Sequence, residues 1–165
     1  MTISHSRKAS LRLEVGREDV HLPGMLEDIP TLFERWGLNK EPQECIWVVA
    51  YSADLAVRNV VEVARGSHIK SNLHLPTMLA AVLTAGCERF LLVHNHPSND
   101  PTPSKGDIEL TKVVMEAANA AGLYFEDHFI LAPSGRFRSF RLQGMMKVPD
   151  YEKHAQAASN VRTSR

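Results

Sequence analysis

Pro97, Pro101 and Pro103 fall within seven residues, in "HPSNDPTPS", and they divide two stretches with different periodicities. Each proline fixes its own φ and lacks an amide donor, so neither a central strand nor a helix interior runs through the segment. Before it stands the compact apolar run Phe90-Leu91-Leu92-Val93. After it Ile108, Leu110, Val113, Val114, Ala117 and Ala121 recur at helical intervals, with Glu109, Lys112 and Glu116 elsewhere on the wheel and Gly122 as a stop. The chain here reads as strand, loop, helix. Asn99 and Asp100 are ordinary turn formers inside the loop.

The rest of the chain extends that pattern. "MLEDIPTLFERWGL" sets Leu26, Ile29, Leu32, Phe33 and Trp36 near helical spacing, with Gly37 as a stop, and predicts a short docking helix. "ECIWVVAYS" and "RNVVEVARG" are rich in valine, isoleucine and aromatics, and the intervening "SADLAV" predicts a turn between two antiparallel strands. "PTMLAAVLTAG" begins with proline, ends with glycine and puts Met78, Leu79, Val82 and Leu83 on one face, which predicts a helix. "LYFEDHFILA" and "RFRSFRL" flank "PSGR" as a closing strand pair.

The order helix, two strands, helix, strand, helix, two strands predicts an α/β or α+β domain with a central mixed sheet flanked by helices. At 165 residues one domain is the default. Its boundaries are placed at residues 25–146, with a polar tail or edge segment at 1–24 and a flexible tail at 147–165, where "HAQAASNVRTSR" carries too little apolar surface to offset ordering entropy. No internal repeat is visible.

Nineteen Lys and Arg balance nineteen Asp and Glu, so no whole-molecule field draws the chain to DNA or to an anionic membrane. No apolar run has the length to span a bilayer, and the charged start "MTISHSRKASLRLEVGRED" lacks the apolar core of a signal peptide. A cytoplasmic protein with no membrane association is expected. Cys45 and Cys87 sit in or beside apolar stretches and read as buried thiols in a reducing compartment.

His94 and His96 stand two apart at the end of a predicted strand, so both rings project from one face. Asp107 follows after the loop has returned. Two imidazoles and a carboxylate hold one metal and leave a coordination position open, the arrangement of catalytic zinc sites. Zinc suits a ligand set that is neither all oxygen nor all sulfur. Ser104-x-x-Asp107 equally fits a helix N-terminus, with Ser104 as cap and Asp107 near the positive end, and spacing alone leaves both readings open.

Other histidine-based sites fit less well. His94-Asn95-His96 spells a nuclease name, but those nucleases spread the named residues over a much longer unit. A zinc deaminase needs H-x-E with a later P-C-x-x-C, and a zincin needs H-E-x-x-H; the sequence has neither. His5, His21, His68, His74 and His154 lie outside ligand spacing and most of them read as surface positions, and His128 reads as a structural residue on a strand.

Taken together, "HNHPSNDPTPSKGDIELT" is H-x-H-x(10)-D and resembles the signature of RadC-like proteins in the JAB/MPN metalloprotease superfamily, whose catalytic form is called JAMM. "GLYFEDHFIL" and "RFRSF" resemble that family's D-H strand and closing S-F, so the likeness spans about Glu44 to Arg141. It implies the JAB/MPN, cytidine deaminase-like fold and a Zn2+ held by His94, His96 and Asp107 with water in the fourth position. It also implies an upstream glutamate as general acid/base. Glu44, fifty residues before His94 at the start of a strand, matches that position, with Glu62 as runner-up. Ser104 matches the serine that hydrogen-bonds the carbonyl oxygen as it gains charge. In this scheme zinc lowers the pKa of its water towards roughly 7, and Glu44 carries the proton to the leaving amine.

The chain departs from the family pattern in three places. Asn99 stands where glycine is usual after H-P-S; asparagine tolerates the left-handed region, so the turn is expected to persist. "LPTM" replaces a P-R-E segment, and no helix-hairpin-helix is recognisable in residues 1–43. The functional expectation is a zinc-dependent JAMM-type peptidase or isopeptidase acting on a peptide or protein. The alternative is a DNA-repair or mobile-element accessory protein, in which the metal-bearing domain acts as an interaction module.

Overall fold

The computed structural model describes residues 20–66 and 73–147. A 3-10 turn at Leu26–Asp28 leads into α1 (Ile29–Arg35), and a second turn, Leu38–Lys40, follows. Then come β1 (Cys45–Tyr51), β2 (Val57–Arg65), α2 (Leu75–Leu83), β3 (Arg89–Asn95), α3 (Lys105–Ala120), β4 (Tyr124–Leu131) and β5 (Phe137–Ser139). The predicted order of elements is the observed one.

The strands form one mixed sheet in the order β2-β1-β3-β4-β5. β1 runs antiparallel to both β2 and β3, β3 and β4 are parallel, and β5 returns antiparallel along β4. Parallel neighbours need a long crossover, and α3 supplies it. β1 and β4 are buried along their whole length, and β3 is buried beyond Arg89, which accounts for their near-continuous apolar sequences. β2, at the edge, carries Arg58, Glu62 and Arg65 among its partly exposed positions, charges that discourage pairing with a further strand.

Alternation along β1 divides the core. Ile46, Val48 and Ala50 pack with Met78 and Val82 of α2 and Val114 of α3. Trp47, Val49 and Tyr51 face the other way, with Leu32 and Phe33 of α1. Phe33 meets Phe129 edge to face at 5.6 Å and Phe90 stacks on Phe125 at 5.0 Å, contacts worth about 0.5–1.5 kcal/mol each beyond their burial. Cys45 and Cys87 are buried free thiols, as expected, and burial together with the charge of Glu62 pushes Cys45 up to about 12.

Val20, His21 and Leu22 lie along the sheet as an edge segment. His21 bridges Ala56, Val57 N–H donates to Val20 and Leu22 N–H to Leu55, and Leu22 is buried against the α1 side of the sheet. One apolar residue in a polar run gives no periodic signal, so the burial of Leu22 was not legible in the sequence. Residues 1–19 and 148–165 of the two expected tails lie outside the described residues. Among the described residues, no helix is long and apolar enough to cross a membrane.

Candidate metal centre

The sheet register assembles the site. Ile46 of β1 pairs with His94 of β3, so the residues leading into β1 lie beside the end of β3. The loop after β3 then returns to the N-terminus of α3. Glu44, immediately before β1, therefore meets His94 and His96, and one ligand atom from each lies within 4.8 Å of the other two. Glu62, the runner-up, is elsewhere: it pairs with Trp47 across the sheet, and its carboxylate accepts two bonds from Arg65, at 2.8 and 2.7 Å.

Asp107 is fully buried against both imidazoles. Its Oδ1 is 3.1 Å from His94 Nδ1 and its Oδ2 is 3.5 Å from His96 Nε2. The rings of His94 and His96 stand perpendicular with centroids 4.7 Å apart. His96 Nδ1 lies 2.9 Å from the Asp100 carbonyl; a carbonyl can only accept, so Nδ1 carries the proton and Nε2 keeps a lone pair when the ring is neutral. Nε2 of His94 and Nε2 of His96 are buried with no hydrogen-bond partner among the described residues. Such atoms are costly in a finished core, and a metal ion would satisfy them.

Electrostatics point the same way. Burial alone would raise the Asp107 pKa, but the polar contacts from His94, His96 and Ser104 outweigh it and hold the carboxyl far below the usual range. Burial alone would lower His96; Asp107, the Asp100 carbonyl and the charge of Glu44 overcome it and raise its pKa. Carboxylates that draw a proton onto an imidazole also draw a cation. Mixed nitrogen and oxygen donors fit a borderline divalent metal.

Ser104 caps α3. Its Oγ accepts the Asp107 N–H at 3.2 Å and donates to Asp107 Oδ2 at 2.6 Å, while Asp107 Oδ2 also accepts the Ser104 N–H at 2.7 Å. This is a capping box with aspartate at the third helical position. The cap reading and the ligand reading of Asp107 thus describe one side chain. An open cleft of about 540 Å³, lined by Gln43, Glu44, Gly66, Pro97 and Ser98, borders the cluster.

Other polar residues matter that spacing did not single out. Thr111 Oγ1 donates to the Asp107 carbonyl at 2.6 Å and lies 2.8 Å from His128 Nδ1. His128 is buried, as its structural reading required, and stacks on Phe140 at 4.8 Å. Asp127 accepts hydrogen bonds from Ser139 Oγ and from the backbone N–H groups of His128 and Arg141. The D-H and S-F segments, distant in sequence, are mutual partners. Asn99 has φ of 64°, the left-handed turn expected of it, and its Oδ1 also accepts the Ser134 N–H at 3.0 Å. His21 and His74 are exposed, and His5, His68 and His154 lie outside the described residues.

Asn95, the x of H-x-H, is fully buried, and as the neighbour of His94 on β3 it points to the opposite face. Its Oδ1 accepts the Cys45 N–H at 2.7 Å, and its Nδ2 donates to the carbonyls of Glu41 and Gln43 at 3.0 and 2.9 Å. A polar side chain at the end of a strand buried on both faces was the available signal, since such a group must find partners.

Residues 27–145 match the family model described as RadC-like JAB domain. Among curated relatives, a UPF0758 protein of Desulforudis audaxviator (strain MP104C) is 30% identical over 151 residues, 87% of this chain and 65% of that protein. UPF0758 proteins of Rhodobacter capsulatus and Geotalea uraniireducens (strain Rf4) are 39% and 37% identical over 85 and 86 residues, 52% of this chain in each case. The chain spans 65%, 39% and 37% of the length of these three relatives, whose names state no reaction.

Proposed function

The chain belongs to the RadC-like JAB domain family, and on that footing we propose that it is a zinc-dependent hydrolase of peptide or isopeptide amide bonds. The observation that carries the reading is the convergence of Glu44, His94 and His96 within 4.8 Å, with Asp107 in contact with both histidines, beside an open cleft. His94, His96 and Asp107 would hold the ion. When bound, zinc supplies Lewis acidity, lowering the pKa of a coordinated water and polarising a carbonyl.

The chain's own groups do the rest. Glu44, half-buried at the cleft and outside the hydrogen-bonded part of β1, accepts the attacking water's proton on a carboxylate oxygen and passes it to the leaving nitrogen. Asp107 supplies fixed negative charge that favours a cation over a proton. Ser104, at the positive end of α3, turns its hydroxyl from Asp107 towards the substrate oxygen as that oxygen gains charge.

The test uses the full chain, zinc and a proteome-derived peptide library, with new termini read by mass spectrometry. Wild type should bind one zinc and generate new termini, and Glu44→Gln should keep the zinc and lose at least a hundredfold in cleavage. Absence of zinc from the wild-type protein, or undiminished cleavage by Glu44→Gln, would overturn the proposal.

A further inference from the structure

Nothing in β1 itself holds Glu44, which precedes the strand and is half exposed. Yet a proton-transfer group must sit at a fixed distance from the reacting atoms, and displacement of about 1 Å can cost a hundredfold in rate. We infer that Asn95 is the positioning residue for Glu44, fixing the approach to β1 in register with the two histidines that flank it in sequence. The inference rests on the hydrolase reading above.

The hydrogen-bond pattern determines the orientation of the carboxamide. Cys45 presents an N–H and therefore needs the oxygen; Glu41 and Gln43 present carbonyls and therefore need the two amide protons. A flipped carboxamide would lose all three bonds, so the oxygen and nitrogen assignment follows from the partners. Both nitrogen protons are used, on two separate carbonyls. The residues on either side of Glu44, Gln43 and Cys45, are thus both bonded to one side chain, and the bond to Glu41 extends the hold further along the loop. From the other side the Glu44 carbonyl accepts the Gly66 N–H at 2.9 Å, at the end of β2.

Strand geometry turns this anchor into a coupling. Successive side chains of a strand point to opposite faces, so Asn95 reaches the Glu41–Cys45 segment while His94 reaches the metal-binding face. The His96 N–H in turn bonds the Leu131 carbonyl at 2.8 Å, tying the end of β3 to β4. Any shift of that strand end carries both imidazoles and the Glu44 backbone together. An apolar residue at position 95 would fill the core and hold β3, but it would leave the Glu41–Cys45 segment to find its own place.

A mutant cycle with amide exchange tests this. Asn95→Asp retains the acceptor for Cys45 N–H but sets oxygen against two carbonyls; Asn95→Ala removes all three bonds. Both should bind one zinc with affinity within about threefold of wild type and lose at least tenfold in kcat with KM held, and Asn95→Ala should exchange the Cys45 amide at least tenfold faster with Val48 unchanged. In the Glu44→Gln background Asn95→Asp should cost no further activity, because its effect runs through Glu44. Additive losses, or unaltered exchange at Cys45 in Asn95→Ala, would overturn the inference. If neither variant folds, the wild-type protein decides: its Asn95 amide protons must exchange far more slowly than those of an exposed asparagine, and free exchange rejects the assignment. Full activity of Glu44→Gln would instead remove the hydrolase reading, while exchange at Cys45 still judges the hold on the segment.

Discussion

Ser104 and Asp107 are joined by four hydrogen bonds, three of them through a side chain and two of those on the single oxygen Asp107 Oδ2. The helix cap and the orientation of the carboxylate proposed as a metal ligand are therefore one structure. Ser104→Ala removes the hydroxyl and with it two of the four bonds. Loss of the cap should cost about 1 kcal/mol of stability, within the 0.5–2 kcal/mol usual for such positions. Loss of a partner that orients a ligand should weaken zinc binding about 10–100-fold. Urea denaturation of the metal-free protein and a competitive chelator titration measure the two effects separately. Lower stability with unchanged zinc affinity would show that the cap does not orient the ligand.

Thr111 extends the support of Asp107 to β4. Its hydroxyl donates to the Asp107 carbonyl and so stands as acceptor for His128 Nδ1 in a region closed to solvent. Thr111→Val keeps the shape and removes this link. Leaving a buried polar group without its partner costs about 1–3 kcal/mol, and the midpoint of urea unfolding should fall accordingly at unchanged slope. A variant as stable as wild type would mean that the bond contributes nothing.

Elements that depend on local pattern were legible in the sequence. Gly37, Gly86 and Gly122, all at positive φ, end the segments they were expected to end, and the loop at residues 97–103 separates β3 from α3 as its prolines required. Spacing singled out His94 and His96 with Asp107, and the fold brings the three side chains together, while the choice between cap and ligand for Asp107 was not legible in the spacing. Glu44 could be aligned with a family position but not distinguished by spacing from Glu62; that depended on the antiparallel register of β1 and β3, a long-range pairing. Asn95 appears in the motif only as an unspecified position, because its partners, the backbone groups of residues 41–45, reach it only once the sheet has formed. Leu22 was missed for a similar reason, being a single contact with no period to reveal it.

Glu62 provides a control for Glu44. Its carboxylate is taken up by Arg65, which also bonds Glu41 at 2.8 Å, and it is absent from the Glu44, His94 and His96 cluster. Glu62→Gln should bind zinc and cleave peptides as wild type does, with a stability loss of about 1 kcal/mol or less, because the pair is partly exposed. Loss of cleavage in Glu62→Gln with activity retained in Glu44→Gln would reverse their assignment.

Asp127 gives the fold a pH dependence whose sign follows from its surroundings. Burial raises its pKa, and the bonds from Ser139, Arg141 and His128 only partly oppose this, leaving it at about 6 against an ordinary value of 3.8. Between those values the folded chain binds a proton that the unfolded chain releases. The contribution of Asp127 to stability is thus fully present below about pH 4 and is lost as pH rises through about 6, an effect on the order of 3 kcal/mol at 1.36 kcal/mol per pKa unit. Asp127→Asn remains neutral throughout. Its oxygen can accept from His128 and Arg141, while its nitrogen donates to Ser139 Oγ, which has a second lone pair beside the one taken by Leu142 N–H. Subtracting the unfolding free energies of the two proteins from pH 4 to pH 8 cancels the other titrating groups. The wild type should lose stability relative to the variant across that window. A difference that is flat, or that slopes the other way, would show that Asp127 is already ionised in the folded protein at the acid end.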